Sequence, residues 1–253
     1  MIFFSFLRNT VLCVKIKEKG CRMKYQNIVK AKFLSRPNRF IAKVNISGKE
    51  ETVHMNNTGR CRELLLPGTT VYLEKTKKTN RKTKYDLIAV EKKRTNKSPL
   101  LVNIDSQIPN ALAAEWIAKS GIFSEKAKVK REVTFGSSRF DLYIEDGSRR
   151  AFVEVKGVTL EEGGNAAFPD APTLRGVKHV TELCSAIDEG YEAYVLFVIQ
   201  MKEIASFTPN DKTHKAFGDA LRIASEKGVK ILAYDCKVEP DSLIIDSPVS
   251  VKL

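Results

Sequence analysis

The chain is 253 residues long, 43% apolar and 29% charged; that is enough for two modest domains, and the lack of any apolar run near ~18 residues excludes a membrane-crossing helix. The formal net charge of +13 is spread unevenly: residues 1–97 hold 24 Lys and Arg against 7 Asp and Glu, and residues 98–253 hold 19 against 23. A segment so basic beside a near-neutral one points to a polyanionic partner, nucleic acid being the commonest, and away from a face charged only for solubility.

Residues 1–22 begin apolar without a basic leader, lack an A-x-A-like cleavage site and turn basic at their end. They read as an N-terminal extension ahead of a start at Met23, not as a signal peptide. From Asn27 to Arg94 the pattern is β-rich. IVKAKFL and RFIAKVNI alternate with period two around Ser35, Arg36, Pro37 and Asn38, and Ser47-Gly48-Lys49 leads into ETVHM. NNTG offers helix-start chemistry, and RCRELLL reads as one or two helical turns ended by Pro67-Gly68. TTVYLEK and YDLIAVEKK follow as strands on either side of the basic loop KKTNRKTK. This order predicts an OB-like β-barrel over residues 23–97, with a small SH3-like barrel as the alternative.

Asn96 to Pro99 reads as a linker into a second domain, residues 98–253. QIPNALAAEWIAKS is a helix stopped by Gly121; KVKREVTF and SRFDLYIE form a hairpin across Gly136-Ser137; RAFVEVKGVTL is the next strand after the turn Asp146-Gly147. A Gly-rich loop (161–170) precedes a helix from Thr173, with Val177, Val180, Cys184 and Ile187 on one face. YVLFVI is apolar throughout, as a central strand covered on both faces should be. A helix near 211–227 and the strand VKILAY complete an α/β domain with a mixed central sheet. Cys13, Cys21, Cys61, Cys184 and Cys236 are scattered without a C-x-x-C pair, which predicts a reduced, cytoplasmic setting and no zinc site.

The sharpest chemistry is Asp141 followed by Glu154-Val155-Lys156. Glu154 and Lys156 share one face of their strand, and the hairpin brings Asp141 alongside. Two carboxylates at a strand edge suit a hard divalent cation, Mg²⁺ or Mn²⁺, and a lysine beside them can hold a water or steady developing negative charge. These are the parts of phosphodiester hydrolysis, and the D-x(n)-E-x-K pattern on a meander flanked by helices resembles the core of the restriction-endonuclease-like nucleases, although Phe140 and not proline precedes Asp141. Glu115, on the preceding helix near Trp116, is a candidate further carboxylate or else a solvated edge residue.

The segments RPNRFIAKV, NNTGRCRELLLPG, SRFDLYIE, VEVKGVTL and FPDAPTLRGVKHVTEL together resemble the sugar fermentation stimulation protein (SfsA) family, from about Met23 to Tyr234. The resemblance implies an OB-like domain joined to a nuclease-like domain, DNA binding, a link to sugar utilisation, and Asp141, Glu154 and Lys156 at the nuclease-type positions. In TLRGVKHV, Arg175, Lys178 and His179 open a helix, a setting suited to a phosphate; His179 either joins that site or packs near Leu183, and Lys178 has a solvated alternative. Arg36, Arg39, Arg60 and Arg62, with the loop residues Lys77, Lys78, Lys82 and Lys84, are candidate phosphate contacts. Phe40 and Tyr72 fit barrel-core packing better than base stacking, His54 reads as a packed or surface histidine, and His214 has no assigned role. Two functions follow: a metal-dependent nuclease that grips DNA, largely without sequence preference, through its barrel, or a non-catalytic DNA-binding regulator on a nuclease-derived fold. RNA is an open alternative polymer for either.

Overall fold

The computed structural model describes residues 23–57, 59–76 and 81–253. The expected N-terminal extension (1–22) and two candidate contacts, Lys77 and Lys78, lie outside the described residues. A short β1 (Met23–Lys24) precedes the barrel strands β2 (Ile28–Asn38), β3 (Ile41–Ile46), β4 (Lys49–Met55), β5 (Thr70–Lys75), β6 (Tyr85–Arg94) and β7 (Lys97–Asn103). These six lie in the order β4-β3-β2-β5-β6-β7, and a parallel β4–β6 pairing through His54–Asp86 and Met55–Leu87 closes the barrel. The period-two pattern supplies the interior: Ala31, Phe33, Ala42, Val44, Val53, Met55, Val71 and Leu73 are buried. Register shifts in β2 at Phe33/Ser35 and Ser35/Asn38 let the long strand bend around the barrel.

The second domain contains α1 (Ile108–Ile117), the hairpin β8 (Lys128–Phe135) and β9 (Ser138–Asp146), β10 (Arg149–Val158), β11 (Leu160–Glu162), β12 (Asn165–Phe168), α2 (Leu174–Asp188), β13 (Glu192–Ile199), β14 (Ser206–Pro209), α3 (Asp211–Glu226), β15 (Lys230–Glu239), β16 (Ser242–Pro248) and β17 (Ser250–Val251). The central sheet runs β1-β16-β15-β13-β10-β9-β8, parallel at β10–β13–β15 and antiparallel elsewhere. All of β13 from Ala193 to Ile199 is buried, as its unbroken apolar run requires. On one face Leu112 and Trp116 of α1 pack with Val153, Val155, Leu196 and Val198. On the other, Val180 and Leu183 of α2 and Phe217 and Leu221 of α3 pack with Phe152, Val195 and Phe197.

RCRELLL takes the shorter of its two expected forms, a single turn with Leu65 N–H donating to the Cys61 carbonyl, because Pro67-Gly68 follows before a second turn can form. Three other stretches differ from expectation. Residues 96–99 are no linker: Asn96, with a positive φ of 58°, turns β6 into β7, so the barrel sheet runs to Asn103, past the expected boundary at 97. Met23–Lys24 pairs with β16, so the first described residues belong to the other domain's sheet. The Gly-rich stretch 161–170 is a hairpin, β11–β12, extended by β14 and β17 into a four-stranded sheet. No helix among the described residues is long and apolar enough to cross a membrane.

Candidate functional site

The β9–β10 ladder ends at Leu142–Val153. Beyond it Asp141 replaces backbone pairing with its own carboxylate: Val155 N–H donates to Oδ2 at 2.8 Å, and Asn110 Nδ2 donates to Oδ1 at 2.6 Å. Asn110 lies in the first turn of α1. That turn sits close because Gly157 has no side chain: a Cβ there would come within 2.8 Å of Pro109 Cγ and 2.6 Å of Gln200 Oε1. Glu154, one residue past the ladder's end, is 2% exposed. Its Oε1 meets Lys156 Nζ and His179 Nδ1, each at 2.5 Å. Its Oε2 is buried with no hydrogen-bond partner.

The electrostatics follow from this placement. Burial first, and the charge of Glu154 second, push the Asp141 carboxyl up to about 6. Burial alone would raise Glu154 too, but the His179 hydrogen bond and the Lys156 ammonium outweigh it and hold that carboxyl below the ordinary range. Arg175 Nε donates to His179 Nε2 at 3.3 Å, so the proton of the ring sits on Nδ1 and is given to Glu154. His179 therefore belongs to the site and not merely to the apolar packing near Leu183, although Phe140 does lie edge-on to its ring at 5.9 Å. Thr173 Oγ1 caps α2 by accepting from Gly176 N–H at 3.0 Å, which starts the helix where Arg175 and His179 face the pair.

A buried carboxylate oxygen without a donor, beside a second carboxylate whose charge is resisted, fits a hard divalent cation. Asp141 and Glu154 are the residues able to hold it. Glu115 is not brought to them: it is exposed, on a different side of α1 from Asn110. Among the described residues no cluster of three or more His, Cys, Asp or Glu has metal-binding geometry, so the site offers two carboxylates. Asn110, not among the expected site residues, had one signal: an amide in the first turn of a helix whose one other polar side chain is Glu115.

The basic candidates divide by what they already touch. Arg36 is committed to the fold, its guanidinium donating to the carbonyls of Gly59, Arg60, Arg39 and Asn57 at 2.7–3.0 Å. This corrects its reading as a phosphate contact, since four carbonyls take the hydrogens of Nη1 and Nη2 and its Nε is buried. It shapes an open pocket of about 380 Å³ lined also by Arg39, Arg60 and Arg62, all exposed. Lys82 and Lys84 are exposed as expected, while Lys178 reaches the Ser137 carbonyl at 2.9 Å and ties α2 to the β8–β9 turn. Tyr72 is half-buried with its hydroxyl on Glu91, and His54 pairs with Asp86 at 3.1 Å. Phe40 lies outside the core, 45% exposed. The arginine loop joins the second domain directly: Arg60 N–H donates to Asp170 Oδ2 at 2.8 Å, shortly before α2.

Residues 34–102 match a family described as the SfsA N-terminal OB domain, and residues 107–242 match the sugar fermentation stimulation protein RE domain. The chain is 61% identical over 231 residues to a sugar fermentation stimulation protein homolog of Desulfitobacterium hafniense, covering 91% of this chain and 99% of that protein. A homolog of Clostridium beijerinckii is 52% identical over 231 residues, covering 91% of this chain and 100% of the relative. A solved structure of SfsA from Pyrococcus furiosus in complex with Ca²⁺ is 30% identical with a TM-score of 0.80, covering 91% of this chain and 98% of that one.

Proposed function

This chain belongs to the sugar fermentation stimulation protein (SfsA) family, and from that premise we propose that it binds DNA largely without sequence preference and hydrolyses phosphodiester bonds at Asp141 and Glu154 with Mg²⁺ or Mn²⁺. The observation that carries this reading is the unpartnered, buried Oε2 of Glu154 beside Asp141, whose carboxyl is raised by burial and then by the charge of Glu154. The Ca²⁺ in the complex of the Pyrococcus relative supports a hard divalent ion. When bound, such an ion polarises a phosphate and lowers the pKa of water. The chain's own residues do the rest. Asn110 and the Val155 N–H aim Asp141, His179 and Arg175 fix Glu154, and Lys156 supplies a cation for negative charge developing on phosphate. The exposed Arg39, Arg60, Arg62, Lys82 and Lys84 supply sequence-independent affinity. The buried free thiols of Cys61, Cys184 and Cys236 support action in the reducing cytoplasm.

The test is incubation of purified protein with plasmid, single-stranded DNA and RNA in Mg²⁺, Mn²⁺ or chelator. Cleavage is expected with either ion and absent with chelator. Asp141→Asn and Glu154→Gln should abolish cleavage while keeping DNA affinity, and only the wild type should melt higher with the ion, by up to about 2.7 kcal/mol of stabilisation at a hundredfold excess over Kd. A wild type that neither cleaves nor responds to the ion leaves a non-catalytic DNA-binding regulator.

A further inference from the structure

Phe40 occupies the β2–β3 turn, where a large apolar ring gains nothing by facing water. Its backbone is held on both sides: its N–H donates to Asn38 Oδ1 at 2.9 Å, and its carbonyl accepts from Met55 N–H at 2.8 Å. The Arg39 guanidinium lies 5.0 Å from the ring centroid. Arg39 also lines the pocket that Arg60 and Arg62 share, and Arg36 braces its wall through four carbonyls. Gly59 lets this wall close on the second domain, since a Cβ there would stand 2.5 Å from Asp170 Oδ2.

A solvent-facing ring on a held backbone, next to Arg39, whose pocket two further exposed guanidiniums line, offers two kinds of contact at once. The ring presents a π-face to a base, and the arginines present positive charge to the phosphates on either side of it. A duplex can use only the second, because its bases are stacked on one another and show only their edges. We propose that Phe40, Arg39, Arg60 and Arg62 form a subsite for an unpaired nucleotide, so that the polymer engaged here is single-stranded. The subsite rests on the nucleic-acid reading above. It also gives that reading a direction: the arginine loop is bonded to Asp170, just ahead of the helix whose Arg175 and His179 lead to Glu154.

The experiment measures fluorescence anisotropy of labelled oligothymidine, oligouridine and a DNA duplex with wild type, Phe40→Ala and Phe40→Trp. Phe40→Ala should bind the single strands about tenfold more weakly and the duplex unchanged, the size expected for one lost base–aromatic stack. Phe40→Trp should keep single-strand affinity and lose fluorescence on binding single strands but not duplex; the other tryptophan, Trp116, is buried. Loss with oligothymidine alone would assign the subsite to DNA, and loss with both strands to any unpaired nucleotide. Equal loss for single strand and duplex, or no loss at all, overturns the subsite while leaving nucleic-acid binding in place. A wild type that binds none of the three overturns both.

Discussion

Asp105 and Asp141 are both aspartates whose carboxyls burial pushes up to about 6, yet their surroundings differ in kind. Asp105 follows β7, where the two domains meet. Its Oδ1 accepts from Gln107 N–H at 3.0 Å and its carbonyl accepts from Gln200 Nε2 at 3.0 Å, while Gln200 also donates to Asn103 Oδ1 and Asn103 to the Tyr25 hydroxyl. No buried side-chain atom of Asn103, Asp105 or Gln200 is left without a partner. Around Asp141 the neighbour is another carboxylate, one of its oxygens has no donor, and a lysine stands over the other. A raised carboxyl therefore does not by itself mark a reactive site. The distinction lies in what remains unsatisfied: the first network is closed and joins domains, and the second leaves a buried carboxylate oxygen without a donor.

Breaking each network in turn should separate these roles. The largest effect is expected at Lys156. Lys156→Ala should slow metal-dependent cleavage by roughly 10²–10³-fold, the usual cost of removing one group that stabilises transition-state charge, while the wild-type ion-induced rise in melting temperature persists. Initial rates on DNA with Mg²⁺ check this, and an unimpaired variant would place the chemistry elsewhere. Gln200→Leu attacks the closed network. It removes donors from Asn103 Oδ1 and the Asp105 carbonyl and should cost about 2–3 kcal/mol, or on the order of 5–10 °C in Tm, with cleavage retained at temperatures where the protein is folded. A variant as stable as wild type would mean the junction does not depend on these bonds.

The open network was the more legible of the two in the sequence. Glu154 and Lys156 share a face in any strand of period two, and a short hairpin must bring a residue such as Asp141 near them, so local geometry was enough. His179 was ambiguous because its partner is distant in sequence and depends on how α2 packs. Asn110 was missed because its role depends on a glycine, Gly157, admitting α1 close to the sheet. The closed network left no trace: Tyr25, the neighbours Asn103 and Asp105, and Gln200 come from three distant stretches of the chain and carry no motif. The same blindness extended the expected linker over the first residues of β7, since a strand shared between a barrel and a domain junction begins locally as a polar turn. Phe40 was misplaced because alternation says which residues can face a core, not which strand ends stay outside it.

The smallest effect is expected at Asp105 and depends on pH. A carboxyl at about 6 in the folded protein, against an ordinary value of 3.8, binds its proton more readily folded than unfolded. Its ionisation therefore penalises folding fully above the folded value, and the penalty disappears as pH falls through about 6 toward 4. Asp105→Asn keeps an oxygen for Gln107 N–H but carries no charge. The shift corresponds to at most about 3 kcal/mol, and the new amide hydrogens offset part of it, so the variant should be more stable than wild type by about 1–2 kcal/mol near pH 8. Urea unfolding at several pH values should show that advantage shrinking to nothing near pH 4, and adding Mg²⁺ should not alter it. Asp141→Asn should gain in the same direction without the ion, because its carboxyl is raised too, but Mg²⁺ should erase the gain by stabilising only the wild type. An advantage at Asp105 that is independent of pH, or one that Mg²⁺ removes as it does at Asp141, would collapse the distinction between the two networks.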